Sequence, residues 1–515
     1  MSNAFRTNGS NNKPMLEKAM AAPTQDAIDA LATARIAPGR LLIDGKSMAG
    51  EAGERDVISP LNGAVITTLA QASAGDVGRA VASARAAFED GRWRRIAPAG
   101  RKDVLHRLAD LIDKHTLELA VLGVRDNGTE IAMALKAEPG SAAGTFRYYA
   151  EAVDKIYGEI APTADNVLAL IHREPVGVVA AIVPWNFPLM IGAWKIAPAL
   201  AAGNSVVLKP AESASLTLLR LAELALEAGV PPGVFNVVTG PGRVTGAALG
   251  LSMDVDVMVF TGSGPTGRRL LQYSAQSNLK RCYLELGGKS PNIIFADALD
   301  LAAAATAAAT AIFRNAGQVC VAGSRLLVQD EVADDVIAGL VKATQGMRRG
   351  DPLDLKTQVG AVHSSEQLAG NLGFVADAVA QGGQIATGGA RDMAETGGFF
   401  MQPTVVTGVK PQDRLFQEEV FGPVLSVTRF KDEADALRLA NFSTFGLASA
   451  VWTANLSRAH RMIRGIRAGV VHVNTYGGSD GTVPLGGVKQ SGNGHDKSLH
   501  ALGKYTDLKT AWIQL

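Results

Sequence analysis

Cys320 lies in Phe313-Arg-Asn-Ala-Gly-Gln-Val-Cys-Val-Ala-Gly-Ser324, where a helical pattern ends and a strand pattern begins. Connections of this kind carry reactive groups more often than the elements they join. A lone thiol is nevertheless more often inert packing than a nucleophile, so other residues must decide its role. Glu285, in Leu284-Glu-Leu-Gly-Gly-Lys-Ser-Pro291, is an acid inside an apolar strand pattern, immediately ahead of two glycines. Burying a carboxylate is costly unless it is paired or used. It reads equally as half of a structural ion pair and as a partly desolvated general base. Pro184-Trp-Asn-Phe-Pro188 brackets a stiff turn with two prolines and presents Asn186, an amide able to donate to a developing oxyanion. Thiol, base and amide donor together are the parts of covalent acyl chemistry.

Two further segments suit a phosphate-bearing ligand. Phe260-Thr-Gly-Ser-Gly-Pro-Thr-Gly267 follows a strand pattern and opens a helical one, so free backbone N–H groups there could face a phosphate. The spacing of Gly262 and Gly267 departs from Gly-x-Gly-x-x-Gly, so by itself it suggests at most a variant dinucleotide site. Lys209-Pro-Ala-Glu212 closes the strand pattern of 205–208 and puts both charges at the carboxyl edge of a sheet, where open α/β folds bind ligands.

The elements that must hold these residues are legible as alternation. Short β-branched runs at 178–183, 205–208, 234–238, 255–260 and 282–286 alternate with helical patterns, which predicts a parallel sheet covered by helices. A second alternation starts at 292–295 and continues through an Ala-rich helix over 299–313, a strand at 325–329 and strands near Val424 and Val470. The chain is therefore α/β, with two parallel-sheet domains. Helices are also expected at 25–34 and 76–88, and the glycine-rich 388–398 reads as an exposed connection. The polar residues 1–14 read as a disordered tail.

A chain of 515 residues, 47% apolar and 19% charged, has ample material for more than one core. Fifty basic against forty-nine acidic residues leave no electrostatic footprint for nucleic acid or an anionic membrane. The most apolar stretch, 176–203, carries one charge, Lys195, and is broken by Pro184, Pro188 and Pro198, so it predicts strand and helix instead of a membrane span. Two cysteines, Cys282 and Cys320, argue against a disulfide framework and point to a reducing, cytoplasmic setting, with Cys282 as inert packing.

From about Leu41 to the C-terminus the chain resembles the aldehyde dehydrogenase superfamily. Pro-Trp-Asn-Phe-Pro, Lys-Pro-Ala-Glu, Phe-Thr-Gly-Ser, Glu-Leu-Gly-Gly-Lys and Gly-Gln-x-Cys followed by Glu419-Val-Phe-Gly-Pro423 occur in family order. The resemblance implies a variant Rossmann cofactor domain over 37–148 and 171–286, after a tail and short helix at 1–36. It implies a catalytic domain over 287–483, and a small β oligomerisation arm with the C-terminal tail at 149–170 and 484–515. It makes Cys320 the nucleophile, Glu285 the base for the deacylating water, and Asn186 with the Cys320 N–H the oxyanion hole. Pro184, Trp185, Lys209, Glu212, Gly262, Ser263, Gly267, Glu419 and Phe421 become cofactor contacts. Because a carboxylate at Glu212 would repel a 2′-phosphate, NAD is expected over NADP, with NADP possible.

The run Gly486-Gly-Val-Lys-Gln-Ser-Gly-Asn-Gly-His-Asp-Lys-Ser-Leu-His-Ala-Leu502, with Tyr149-Ala-Glu-Ala-Val-Asp-Lys-Ile-Tyr-Gly158, is most similar to gamma-glutamyl-gamma-aminobutyraldehyde dehydrogenases and related aminoaldehyde enzymes. This implies a polyamine-derived aldehyde as substrate, with Phe187 and Trp194 in the substrate tunnel and Asp126 as a cation partner. A homodimer or homotetramer is implied too, and no metal. Two rivals share the fold: a coenzyme A-acylating dehydrogenase, and an inactive binding protein. Glu285 favours water over thiol as acceptor, and the set Cys320, Glu285, Asn186, Lys209 and Glu419 argues for activity.

Overall fold

Five of the strands expected between 178 and 286 align in parallel because each is an apolar, mostly β-branched run bounded by Gly, Pro or charge. The computed structural model describes residues 23–478 and 480–515, so the expected tail at 1–14 lies outside the described residues. The first sheet has the spatial order β11 (Arg281–Glu285), β10 (Val257–Thr261), β7 (Val178–Ile182), β8 (Ser205–Lys209), β9 (Phe235–Val237), β1 (Leu41–Ile43), β2 (Lys46–Met48). The strands β7 to β11 are mutually parallel, and β1 and β2 extend the edge antiparallel. In chain order the parallel strands read third, second, first, fourth, fifth across the sheet. The order thus reverses between β7 and β10, and the crevice at their carboxyl ends is where such sheets take a ligand. Helices Pro188–Ala201, Leu216–Ala228, Ala247–Leu251 and Gly264–Ala275 are the crossovers.

The second sheet runs β14 (Gln384–Thr387), β17 (Thr404–Thr407), β18 (Val424–Phe430), β13 (Arg325–Gln329), β12 (Pro291–Ile294), β19 (Ala448–Trp452), β20 (Val470–Val473). It is parallel except where β14 meets β17. The Ala-rich helix starts at Leu301, two residues later than the pattern suggests, because the Asp300 carboxylate accepts the Ala303 N–H and caps it there. Within the glycine-rich connection, β15 (Arg391–Asp392) pairs with β16 (Phe400–Met401).

A third sheet, β21 (Thr506–Gln514), β6 (Val167–Pro175), β5 (Glu159–Ala161), is antiparallel, and a separate hairpin joins β3 (Glu54–Ile58) to β4 (Val65–Ala70). One apolar cluster contains residues of both large sheets, such as Val179, Val206, Ile293 and Leu326, so the two α/β units share a core. Their junction is drawn tight where Leu286 N donates to Ser491 O and Glu285 bridges Gly492.

Candidate active site

The loop carrying Cys320 is held in an unusual backbone shape. After the helix Leu301–Phe313, three consecutive residues, Asn315, Ala316 and Gly317, have φ of 50°, 49° and 75°. Left-handed φ is costly for residues with a Cβ and persists only where the surroundings enforce it. A buried amide lattice does so here. Asn186 Nδ2 donates to Gln318 O at 2.9 Å, Gln318 Nε2 donates to Asn315 O at 3.1 Å, and His363 N donates to Gln318 Oε1 at 2.7 Å. Gly317 has no substitute, since a Cβ would lie 2.0 Å from Gly422 O. On the far side of the thiol the Tyr476 hydroxyl donates to Val321 O at 2.7 Å. Cys320 is half-buried, and Cys282 is buried. Burial, reinforced by the Glu419 and Glu285 charges, pushes the Cys320 thiol up to about 12, while the Val321 and Cys320 N–H groups favour the thiolate.

Glu285 ends β11, and its buried Oε1 has no hydrogen-bond partner among the described residues. Burial and the neighbouring Asp496 charge hold its carboxyl well above the usual carboxylate range, against the pull of Lys195 and Lys504. Those three residues form a buried charge cluster. Lys195 Nζ donates to Asp496 Oδ2 at 2.9 Å, and Lys504 Nζ to Asp496 Oδ1 at 2.6 Å. Burial alone would raise Asp496, but the two ammonium groups bring it down to about 2. Burial lowers Lys195, and the Asp496 charge opposes that. A neutral-leaning acid thus faces a lysine that holds its proton less tightly than usual, an arrangement suited to moving a proton.

At the switch between β7 and β10 lies a cleft of about 800 Å³. Its walls include Pro184, Trp185, Lys209, Glu212, Gly262 and Ser263. Trp185 stacks on His363, ring centroids 4.1 Å apart, and meets Phe421 edge-on at 5.3 Å. Ser263 holds the N-cap position of the helix Gly264–Ala275, but its hydroxyl bonds Thr266 Oγ1 at 3.0 Å. The first-turn N–H groups therefore have no side-chain cap at the cleft wall. Pro265 sits in that first turn, where its missing N–H costs nothing. An uncapped helix start, a buried lysine and an acid at one strand end form a donor and acceptor set that fits a dinucleotide.

A second cavity, of about 480 Å³, is lined by Tyr148, Tyr149, Met190, Trp194, Asp480 and Lys497 among others. Several of its wall residues are close in sequence to residues near the reactive groups. Trp194 precedes Lys195, Lys497 follows Asp496, and Asp480 lies four residues beyond Tyr476. Lys497 Nζ stands 5.7 Å from the centroid of the Trp194 ring.

Residues 48–511 match the aldehyde dehydrogenase family. The chain belongs to that family. Aldehyde dehydrogenases are oxidoreductases that depend on NAD or NADP, and the parallel sheets described above are that fold. The chain is 49% identical to the NADP/NAD-dependent aldehyde dehydrogenase PuuC of Escherichia coli (strain K12), covering 92% of this chain and 96% of PuuC. Among solved structures it is similar to gamma-glutamyl-gamma-aminobutyraldehyde dehydrogenase from Burkholderia cenocepacia J2315. That likeness has a TM-score of 0.93 and 50% identity, over 96% of this chain and 100% of that one. It is equally similar to a mutant of the P. syringae indole-3-acetaldehyde dehydrogenase AldA in complex with NAD+ and IAA, with a TM-score of 0.94, 48% identity and the same coverage. These likenesses do not favour a coenzyme A-acylating or an inactive protein.

Within this aldehyde dehydrogenase the structure brings Cys320, Glu285 and Asn186 to one seam, and Pro184, Trp185, Lys209, Glu212, Gly262 and Ser263 to one cleft. Glu419 reaches the seam, where its Oε1 accepts the Gly288 N–H at 2.9 Å. Three expected site residues stand apart from the walls of these two cavities. Asp126 is 1% exposed, and its Oδ2 accepts the Leu216 N–H at 3.0 Å, at the start of the helix Leu216–Ala228. Phe187 is buried core at the start of the helix Pro188–Ala201 and is not in the cavity wall, whereas Trp194 is. Gly267 packs under the helix, where a Cβ would meet Leu286 Cδ2 at 2.9 Å, and does not face the cleft. Sequence reasoning missed Asp496, Lys504, His363, Asp480 and Lys497. It had a signal for Lys195, the only charge in the most apolar stretch. Among the described residues no group of three or more His, Cys, Asp or Glu side chains is arranged to hold a metal ion.

Proposed function

We propose that this enzyme oxidises a polyamine-derived aminoaldehyde whose far end carries both charges, of the gamma-glutamylated kind, to its carboxylate. The observation that carries this reading is the cavity wall, where Asp480 and Lys497 flank the aromatic residues Tyr148 and Trp194. Relatives of nearly equal similarity are named for a gamma-glutamyl aminoaldehyde and for indole-3-acetaldehyde, so identity alone does not choose between them. An indole offers nothing to Asp480 and Lys497. A free aminoaldehyde satisfies the acid and opposes the lysine, and a gamma-glutamyl group presents an ammonium to one and a carboxylate to the other.

In the proposed reaction the Cys320 thiolate adds to the aldehyde carbon. The new oxyanion is held by the Cys320 N–H and by Asn186, whose amide nitrogen has a second hydrogen beyond the one given to Gln318 O. A dinucleotide would be held by Lys209, Glu212, Ser263 and Glu419, with Trp185 and Phe421 as walls, and would supply the hydride acceptor. Collapse of the oxyanion breaks the former aldehyde C–H bond, its hydrogen leaving as hydride to the acceptor, and an acyl thioester remains on Cys320. Glu285 takes a proton from water as the water attacks that thioester, and the carboxylate leaves as the thiol is restored. Lys195 and Asp496 carry the proton away from Glu285. The cofactor domain comprises 37–148 and 171–286, the catalytic domain 287–483.

Homo-oligomerisation through the arm, 149–170 and 484–515, belongs to the same reading. Both β5 and β21 are sheet edges, and β21 leaves Leu508 and Trp512 exposed. No helix among the described residues is long and apolar enough to cross a membrane, and a thiol-dependent enzyme suits the reducing cytoplasm.

Reduced-cofactor formation decides the substrate, measured with gamma-glutamyl-4-aminobutyraldehyde, 4-aminobutyraldehyde and indole-3-acetaldehyde and with Cys320→Ala as control. The conjugate is expected to give the highest kcat/KM, and Asp480→Asn to lower it more than it lowers that for the indole. Preference for the indole aldehyde overturns the substrate reading, and turnover by Cys320→Ala overturns the mechanism.

A further inference from the structure

Glu130 is a buried acid with no part in the steps above. It stands two residues past Gly128, whose φ of 83° ends the helix Thr116–Asn127, and it is 2% exposed. Among the described residues its carboxylate has backbone N–H groups as partners and no cation. Oε1 accepts the Gly360 N–H at 2.8 Å, and Oε2 accepts the Asn315 N–H at 3.2 Å. Burial pushes the carboxyl up to about 7, while the Gly360, Asn315 and Ala316 N–H groups favour its charge. A buried acid without a counter-ion is costly, so its oxygens meet a need that an apolar side chain could not. That need is the approach to Cys320, where Asn315 and Ala316 hold left-handed φ although each has a Cβ. Gly360 opens the segment 360–363, whose Ala361 O accepts Gln318 Nε2 at 3.3 Å and whose His363 N donates to Gln318 Oε1 at 2.7 Å. Glu130 and Gln318 thus tie the nucleophile loop to one segment at two points, and Gln318 O also takes the Asn186 amide.

We propose that Glu130 is a positioning residue for the nucleophile. Its carboxylate holds Asn315 against Gly360, fixes the left-handed turn, and so sets where the Cys320 thiol and N–H meet the aldehyde. Glu130 lines neither of the two cavities described above, so it acts through this backbone and not by touching a ligand there. Leucine in its place would leave two buried N–H groups unpaired. Glutamine would serve one of them and turn its own amide hydrogens against the other. This rests on the reading of Cys320 as the nucleophile.

Alkylation of Cys320 by iodoacetamide, followed by mass spectrometry at that residue in the full-length protein, tests this without turnover. Glu130→Gln is expected to slow alkylation and to lower kcat, each roughly 10- to 100-fold, while calorimetric affinity for NAD changes by no more than about twofold. Ala316→Gly added to Glu130→Gln should recover part of both losses, because glycine takes left-handed φ without strain. Glu130→Asp keeps the charge but is one methylene short of spanning both N–H groups, and it is read in the same way should the amide variant fail to fold. A folded variant that melts earlier yet keeps its alkylation rate and kcat makes Glu130 a purely structural acid and overturns the proposal. Equal loss of NAD affinity, or no recovery with Ala316→Gly, overturns it too, because Glu130 would then not act through this turn. Turnover by Cys320→Ala would instead remove the nucleophile reading on which the proposal rests.

Discussion

In the cleft wall Arg55 and Glu212 keep about two-fifths of their side chains in water, whereas Lys195, Asp496 and Lys504, behind Glu285, keep 7% or less. The two regions hold similar charges and use them differently. A wet pair is screened and interchangeable, worth about 0–1 kcal/mol, which suits a site that must bind and release a charged ligand. A dry cluster has no water to replace a lost partner, so each member depends on the others, which suits a site that must hold one protonation pattern. The contrast can be broken from either side.

The largest effect is expected at Asp496→Ala. It leaves the Lys195 and Lys504 ammonium groups buried without their acid, a loss of about 3–5 kcal/mol in unfolding free energy by denaturant titration. Turnover should fall with it. The linkage has a definite sign. A carboxyl held at about 2 in the fold, below its unfolded value, stabilises above that unfolded value and loses the contribution as pH drops through the interval. The unmodified protein should therefore lose this share of stability between about pH 4 and 2, and the variant should not. A cost under about 1 kcal/mol would place the cluster with the wet pairs.

Glu285→Gln comes next, with turnover lowered roughly 10²- to 10⁴-fold. Because burial and Asp496 raise this carboxyl, it is protonated, and unable to accept a proton, well above the ordinary carboxylate range. Steady-state rate should rise with pH above the ordinary carboxylate range in the unmodified enzyme. The variant should lose that limb yet keep a first burst of reduced cofactor, since the burst precedes hydrolysis. For stability the sign is opposite to that of Asp496: a raised carboxyl contributes below its unfolded value and loses the contribution as pH rises through its folded one. Rate profiles of the two proteins that coincide in shape would remove Glu285 as the base.

On the wet side, Arg55→Met should change unfolding free energy by no more than about 1 kcal/mol, and less in high salt. Denaturant titrations at two salt concentrations measure this. A loss comparable to that of Asp496→Ala would mean that Arg55 holds the hairpin β3–β4 to the sheet and is not a replaceable partner.

The same contrast explains what the sequence could reveal. Strands β7 to β13 are local apolar runs with their own punctuation, and Cys320, Glu285 and Asn186 stand inside short motifs. Lys195 and Asp496 are separated by 301 residues and meet only because the C-terminal segment folds back onto the helix Pro188–Ala201. No window of sequence contains that pair. Phe187 is the N-cap of the helix Pro188–Ala201 and Trp194 lies two turns along it, and only Trp194, further down the axis, reaches the cavity wall. Asp126 entered only through the family resemblance, and its partner is a helix start ninety residues away.

The smallest effect is expected at Asp126→Asn. Burial pushes this carboxyl up to about 7, against the Leu216 and Ser215 N–H groups that favour its charge. Its work is to accept the Leu216 N–H, and an amide oxygen can do that without a charge. The substitution should therefore alter stability by less than about 1 kcal/mol near neutral pH and leave the KM for a cationic aldehyde where it was. A raised carboxyl contributes fully below its unfolded value, so any difference between the proteins should shift in favour of the amide as pH climbs past about 7. If instead KM for aminoaldehydes rose while that for an uncharged aldehyde did not, Asp126 would be a substrate partner after all. The division between buried charges that build the fold and wall charges that read the ligand would then have to be redrawn.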